Sequence, residues 1–246
     1  MHHINSFPGL KHFDATFSSV YVGRDTEKSQ LLKKLNTENF VAILGPSGVG
    51  KTSFMQSKII PILEKGYILR GINEWRIATL RPNRNLIRSL AHALSDVSFI
   101  KSDINDRIPP NLTSKFEDIL YQNEFGILDI VEEYHLVEDK NLLIFIDHFD
   151  DVFRTSSSNP RELHAFLSRL EEVISQKAYP IKIIITLRND RSYDQNTNFS
   201  KFGAISELIN NSQFILSAFT LQDIISTLDV TSKKGSFVFD SEFYKL

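Results

Sequence analysis

Short apolar runs alternate along this chain with longer stretches whose apolar residues recur three and four positions apart. Phe40–Leu44 and Leu142–Ile146 have the unbroken hydrophobicity of strands buried on both faces, and Trp75–Leu80 and Ile181–Leu187 read as two more. Gln213–Leu216 predicts a short last strand and Thr16–Val22 an extended entry or a short strand. Asp25 can cap a helix that shares Leu31, Leu32 and Leu35 on one face and ends near Asn36. Further helices are predicted over Lys51–Lys65, stopped by Gly66 and kinked at Pro61, and over Asn83–Leu94, Thr113–Tyr121, Gly126–Val137 and Pro160–Lys177. Another begins at Leu221, while Asp96–Asn111 and Asn189–Asn198 are polar and read as loops.

Strands spaced by helices predict an α/β fold with a parallel, right-handed, doubly wound sheet. Such sheets bind ligands beyond the carboxyl ends of their strands. Three units are expected: an N-terminal extension over 1–38, a core over 39–218, and the start of a C-terminal helical region over 219–246. The composition narrows the picture. Thirty acidic and 28 basic residues leave a formal charge of −2, so no global field favours nucleic acid or an anionic membrane. The absence of cysteine excludes disulfides, thiolate metal sites and cysteine nucleophiles. No apolar run approaches the roughly 20 residues that span a bilayer, and the start lacks the features of a signal peptide, so a cytoplasmic protein is expected.

The chemistry begins directly after the first strand. Gly45-x4-Gly50-Lys51-Thr52 fits G-x-x-x-x-G-K-[ST] without deviation. Glycines let successive N–H groups turn inward on an anion, and the following helix adds its positive end. Pro46, Ser47, Gly48, Val49, Gly50, Lys51, Thr52 and Ser53 would form the cradle. Lys51 should reach the β- and γ-phosphates, and the Thr52 hydroxyl should ligate Mg²⁺. The strand at 142–146 ends in Asp147, which would hold the same Mg²⁺ through water. Asp150 can turn back to polarise the water that attacks the γ-phosphate; alternatively Asp150 and Asp151 cap and charge the first turn of a helix. His148 reads as a local hydrogen-bonder. The strand at 181–187 is followed by Arg188, either a sensor of the γ-phosphate or a surface residue paired with Asp190.

Loop, acids and arginine together resemble the STAND class of P-loop ATPases, relatives of the NACHT and NB-ARC families, and above all the prokaryotic novel-STAND NTPase domain. The likeness runs from about Phe7 to Thr227. It includes Phe7-Pro8-Gly9-Leu10, Tyr21-Val22-Gly23-Arg24, the loop GPSGVGKT, Leu80-Arg81-Pro82, Asp147-His148-Phe149-Asp150-Asp151-Val152-Phe153 and Thr186-Leu187-Arg188. The resemblance implies an ATP/ADP-binding, Mg²⁺-dependent switch of the ASCE/STAND type that controls self-association in a bacterial defence or signalling protein. It implies that Val22, Gly23 and Arg24 lie near the adenine and that Asp150 takes the catalytic acid's place. Asp stands at 150 and 151 where the family has Glu, which shortens the reach by one methylene and implies slow hydrolysis. The family's lid, winged-helix, sensor and effector parts would lie outside this chain.

Two other classes fit the loop. Guanylate kinases share GPSGVGK but carry it at the extreme N-terminus, and leave the acidic strand end unexplained. A non-hydrolysing nucleotide-dependent scaffold would need no catalytic acid. A GTP switch is disfavoured because no Asn-Lys-x-Asp motif occurs, and no basic, aromatic patch argues for nucleic acid.

Overall fold

The computed structural model describes residues 21, 23–96, 111–155, 159–189 and 204–226. Five parallel strands, β1 (Phe40–Gly45), β2 (Trp75–Leu80), β3 (Asn141–Ile146), β4 (Ile181–Arg188) and β5 (Gln213–Ile215), form one sheet in the order β2-β3-β4-β1-β5. The three central strands are those with the most continuous apolar sequence, because both of their faces are covered. Phe40, Ala42, Leu142, Ile144, Ile183 and Ile185 pack into one core; the intervening Val41, Ile43, Leu143, Phe145 and Ile184 pack into the other. Each of these side chains is almost fully buried, and each contributes on the order of 1–3 kcal/mol.

One core is closed by α1 (Asp25–Thr37), through Leu31, Leu32 and Leu35, and by the long helical rod α2 (Lys51–Glu64) that follows the phosphate loop. The other is closed by α3 (Leu86–Leu94), α4 (Leu112–Gln122), α5 (Gly126–Glu133), α7 (Pro160–Ser175) and α8 (Ala204–Asn211). A short α6 (Asp150–Thr155) leaves the end of β3.

The rod α2 has three parts: Lys51–Phe54, a π-helical stretch Met55–Ile59, and Ile60–Glu64. Proline lacks an N–H and its ring crowds the carbonyl four residues back. The widened turn before Pro61, in which the Ile60 N–H reaches the Met55 carbonyl, is the form the expected kink takes. Helix α3 starts at Leu86 rather than Asn83, because the Asn83 side chain accepts from the Asn85 N–H in a tight turn. Helix α8 has no counterpart among the predicted elements. The helix expected from Leu221 is present through residue 226. Most of the predicted Thr16–Val22 entry and of the loops Asp96–Asn111 and Asn189–Asn198 lies outside the described residues.

Candidate functional site

Strand β1 delivers the chain to the phosphate loop through Gly45. A Cβ there would lie 2.6 Å from the Leu216 carbonyl oxygen and 2.8 Å from Val49 Cγ1, so glycine alone lets the loop turn against the segment after β5. Gly48 and Gly50 adopt positive φ of 78° and 92°, which aims the loop amides at a common centre. The Lys51 ammonium donates to the carbonyls of Gly45 (2.7 Å) and Pro46 (3.0 Å), folded across the cradle a phosphate would occupy.

Parallel register brings the end of β3 beside this loop. Leu80 of β2 pairs with Ile146, and Ile146 with Ile185 of β4, so Arg81, Asp147 and Thr186 follow in line on adjacent strands. The Thr52 hydroxyl lies 3.0 and 2.9 Å from the two Asp147 carboxylate oxygens, and Thr186 Oγ1 donates to Asp147 Oδ1 at 2.7 Å. The His148 imidazole Nδ1 lies 2.8 Å from Asp147 Oδ2. Burial pushes the Asp147 carboxyl up, but the adjacent His148 imidazole and the hydrogen bonds from Thr186 and Thr52 outweigh it and hold the group below its ordinary range, hence ionised. His148 has a φ of 55°, a turn that lets its own N–H donate to Thr186 Oγ1 and the Phe149 N–H to the Thr186 carbonyl.

These groups line a cleft of about 670 Å³ together with Ser47, Gly48, Gly50, Lys51, Ser53, Gln56, Arg81, Asp150 and Arg188. A hydroxyl and an ionised carboxylate are hard oxygen donors, and their position at the loop mouth fits Mg²⁺, which takes one or two protein oxygens beside water and phosphate. Among the described residues no group of three or more His, Asp or Glu side chains could hold a metal by itself.

The model of the family described as Novel STAND NTPase 1 matches residues 6–243 of this chain. The chain belongs to that family. A comparison with curated proteins finds no match. Among solved structures it is similar to a Walker-type ATPase of Pyrococcus abyssi, with 15% identity and a TM-score of 0.57, covering 94% of this chain and 63% of that one. It is similar to the ORC2 protein of Aeropyrum pernix in its ADPNP–ADP complexes, with 17% identity, a TM-score of 0.56 and coverage of 87% and 53%. It also resembles a chain of the HORMA:CdnC:Trip13 complex of E. coli MS115-1, with 14% identity, a TM-score of 0.52 and coverage of 95% and 75%. This chain thus spans less than two thirds of the first two. At these identities the likeness is one of fold: a P-loop ATPase core.

In this STAND NTPase the expected catalytic and metal residues share one cleft, and two of the three expected adenine neighbours, Gly23 and Arg24, are not among its lining residues. Asp150 is buried as the first residue of α6, a first-turn acid of that helix, and lines the cleft. Arg188 Nε stands 3.7 Å from Asp150 Oδ2; Asp190, its alternative partner, lies outside the described residues. Val22 also lies outside them. Arg24 is 4% exposed, and its guanidinium pairs with Glu27 at 2.7 Å, donates to the Val49 carbonyl at 3.2 Å and lies over the Phe219 ring at 4.1 Å. Arg24 thus grips the back of the phosphate loop. Pro46 and Val49 shape the loop through their carbonyls and do not line the cleft.

Thr186 and Arg81 are among the cleft residues that sequence reasoning did not assign to the site. Thr186 carried a signal, as a lone hydroxyl in an isoleucine-rich buried strand, and Arg81 carried one as a cation directly after a strand.

Proposed function

We propose that this chain is an ATP/ADP-dependent STAND switch that binds ATP with Mg²⁺ in the 670 Å³ cleft and hydrolyses it slowly. The observation that carries the reading is the contact of the Thr52 hydroxyl with both oxygens of an ionised Asp147, beside Lys51 and between Arg81 and Arg188.

The residues divide the work by charge. Lys51 leaves the Gly45 and Pro46 carbonyls for the β- and γ-phosphates, while the loop amides bind the remaining oxygens. Thr52 and Asp147 would hold Mg²⁺, which when bound neutralises charge developing on the phosphates. Asp150 orients and polarises the attacking water, and Arg188 stabilises the γ-phosphoryl charge. Self-association of the longer protein in the ATP state, and a role in bacterial defence or signalling, follow from family membership as part of this proposal.

A non-hydrolysing scaffold remains the second reading, favoured by the short Asp150 side chain standing opposite Arg188. One set of measurements separates them: the phosphate count of any nucleotide carried through purification, and ATP binding and turnover in Lys51→Ala and Asp150→Asn. The switch expects lost triphosphate binding in the first variant and retained ATP with slowed turnover in the second. Tight ATP binding by Lys51→Ala would overturn the site. No turnover even in the unaltered chain would favour the scaffold.

A further inference from the structure

Two arginines face the far end of the cleft. Asp147 follows β3, with Arg81 following β2 on one side and Arg188 ending β4 on the other. The first turn of α6 sets one carboxylate against each: Asp151 Oδ2 is 3.6 Å from Arg81 Nε, and Asp150 Oδ2 is 3.7 Å from Arg188 Nε. Both separations exceed the roughly 2.7–2.9 Å of a charge-assisted hydrogen bond, so neither arginine is locked. The Arg81 side chain is 64% exposed against 15% for Asp151, a movable cation beside a fixed anion. Arg81 also forms part of the wall of a second hollow of about 420 Å³, lined by Asn83, Asn85, Arg88 and His92 and, among the described residues, by no carboxylate. The Arg88 cation on that side and a phosphate cradle on the other favour the cleft.

We propose that Arg81 is a second ligand of the γ-phosphate, acting with Arg188 from the opposite flank of Asp147. The inference rests on the nucleotide reading of the cleft and assigns it a two-armed bracket. A terminal phosphate offers both guanidinium groups a doubly charged partner with several acceptor oxygens. On loading a triphosphate each arm exchanges its aspartate for phosphate, and the two carboxylates at the start of α6 lose their arginines together. A diphosphate leaves both pairs in place. The bracket therefore reads the phosphate count and writes it onto α6.

Calorimetric titration of the full chain with AMP-PNP and with ADP, both with Mg²⁺, tests this. Arg81→Ala is expected to weaken AMP-PNP about tenfold, the size of one charge-assisted hydrogen bond, and to change ADP less than about twofold. Arg81→Lys should recover part of the loss. Asp151→Asn supplies the opposite sign: with its tether removed, Arg81 should bind the analogue more tightly relative to ADP, and that gain should shrink in the Arg81→Ala background. Equal losses for both nucleotides in Arg81→Ala, or an unchanged preference in both variants, would overturn the proposal while the cleft remains a nucleotide site. No binding of either nucleotide by the unaltered chain would overturn the site reading and this proposal with it.

Discussion

Replacing Thr186 by valine keeps its shape and removes only the hydroxyl. Thr186 is buried, and its hydroxyl donates to Asp147 Oδ1 at 2.7 Å and accepts from the His148 N–H at 2.8 Å. A hydrogen bond to a charged group contributes about 1.5–3 kcal/mol, and a stranded buried donor costs about 1–3 kcal/mol. The added methyl returns about 0.8 kcal/mol. Thr186→Val should therefore destabilise the chain by about 3 kcal/mol near neutral pH. Urea unfolding should show a lower midpoint at unchanged slope, and the melting temperature should fall by about 6–12 °C for a chain of this size. The pH dependence gives a second check. Asp147 has a folded-state pKa held below its ordinary 3.8, so its contribution is present above 3.8 and is lost as pH falls through the folded value. The hydroxyl is one of the groups holding it low, so the gap between wild type and variant should narrow in acid. A loss under about 1 kcal/mol that does not change with pH would refute the claim that Thr186 supports the ionised carboxylate.

Two further outcomes are expected from the same frame. Gly45→Ala places a Cβ 2.6 Å from the Leu216 carbonyl oxygen and should cost about 1–3 kcal/mol by overpacking, seen in urea unfolding together with weaker nucleotide binding. Lys182 is fully buried on β4, donates to the Glu38 carbonyl and Asn39 Oδ1, and has its pKa pushed down to about 8 by burial. Its folded state holds the proton less tightly than the unfolded chain, so the cost of charging it is complete below pH 8 and is relieved as pH rises toward its ordinary 10.5. Denaturation across that range should show wild type gaining on Lys182→Met; a constant difference would contradict the burial argument.

The cradle was readable because a phosphate loop is a local object: Gly45, Gly50, Lys51 and Thr52 are neighbours in the chain, and their spacing alone dictates how the backbone curls. The buried strands were readable for a similar reason, since Phe40–Leu44 and Leu142–Ile146 need apolar neighbours on both faces whatever those neighbours are. Arg24 was harder. Its contacts with Val49 and Phe219 join segments far apart in the chain, so no local pattern announces them. Helix α8 went unseen because its inward residues, Ile205, Leu208 and Ile209, cover little more than one turn, too short a stretch to stand out as a period.

Local pattern therefore specified the elements, the phosphate loop and the acidic strand end, because each depends on residues within a few positions of one another. The lateral order β2-β3-β4-β1-β5 depends on which strands meet, and no periodicity encodes that. That order puts Thr186 and Thr52 on Asp147 and sets Arg81 and Arg188 on either side of it, so the charge balance of the cleft belongs to the assembled sheet. Arg81 meets Asp151, Arg188 meets Asp150 and His148 meets Asp147 across space within about 4 Å, where Coulomb terms act, however many residues of chain separate the partners.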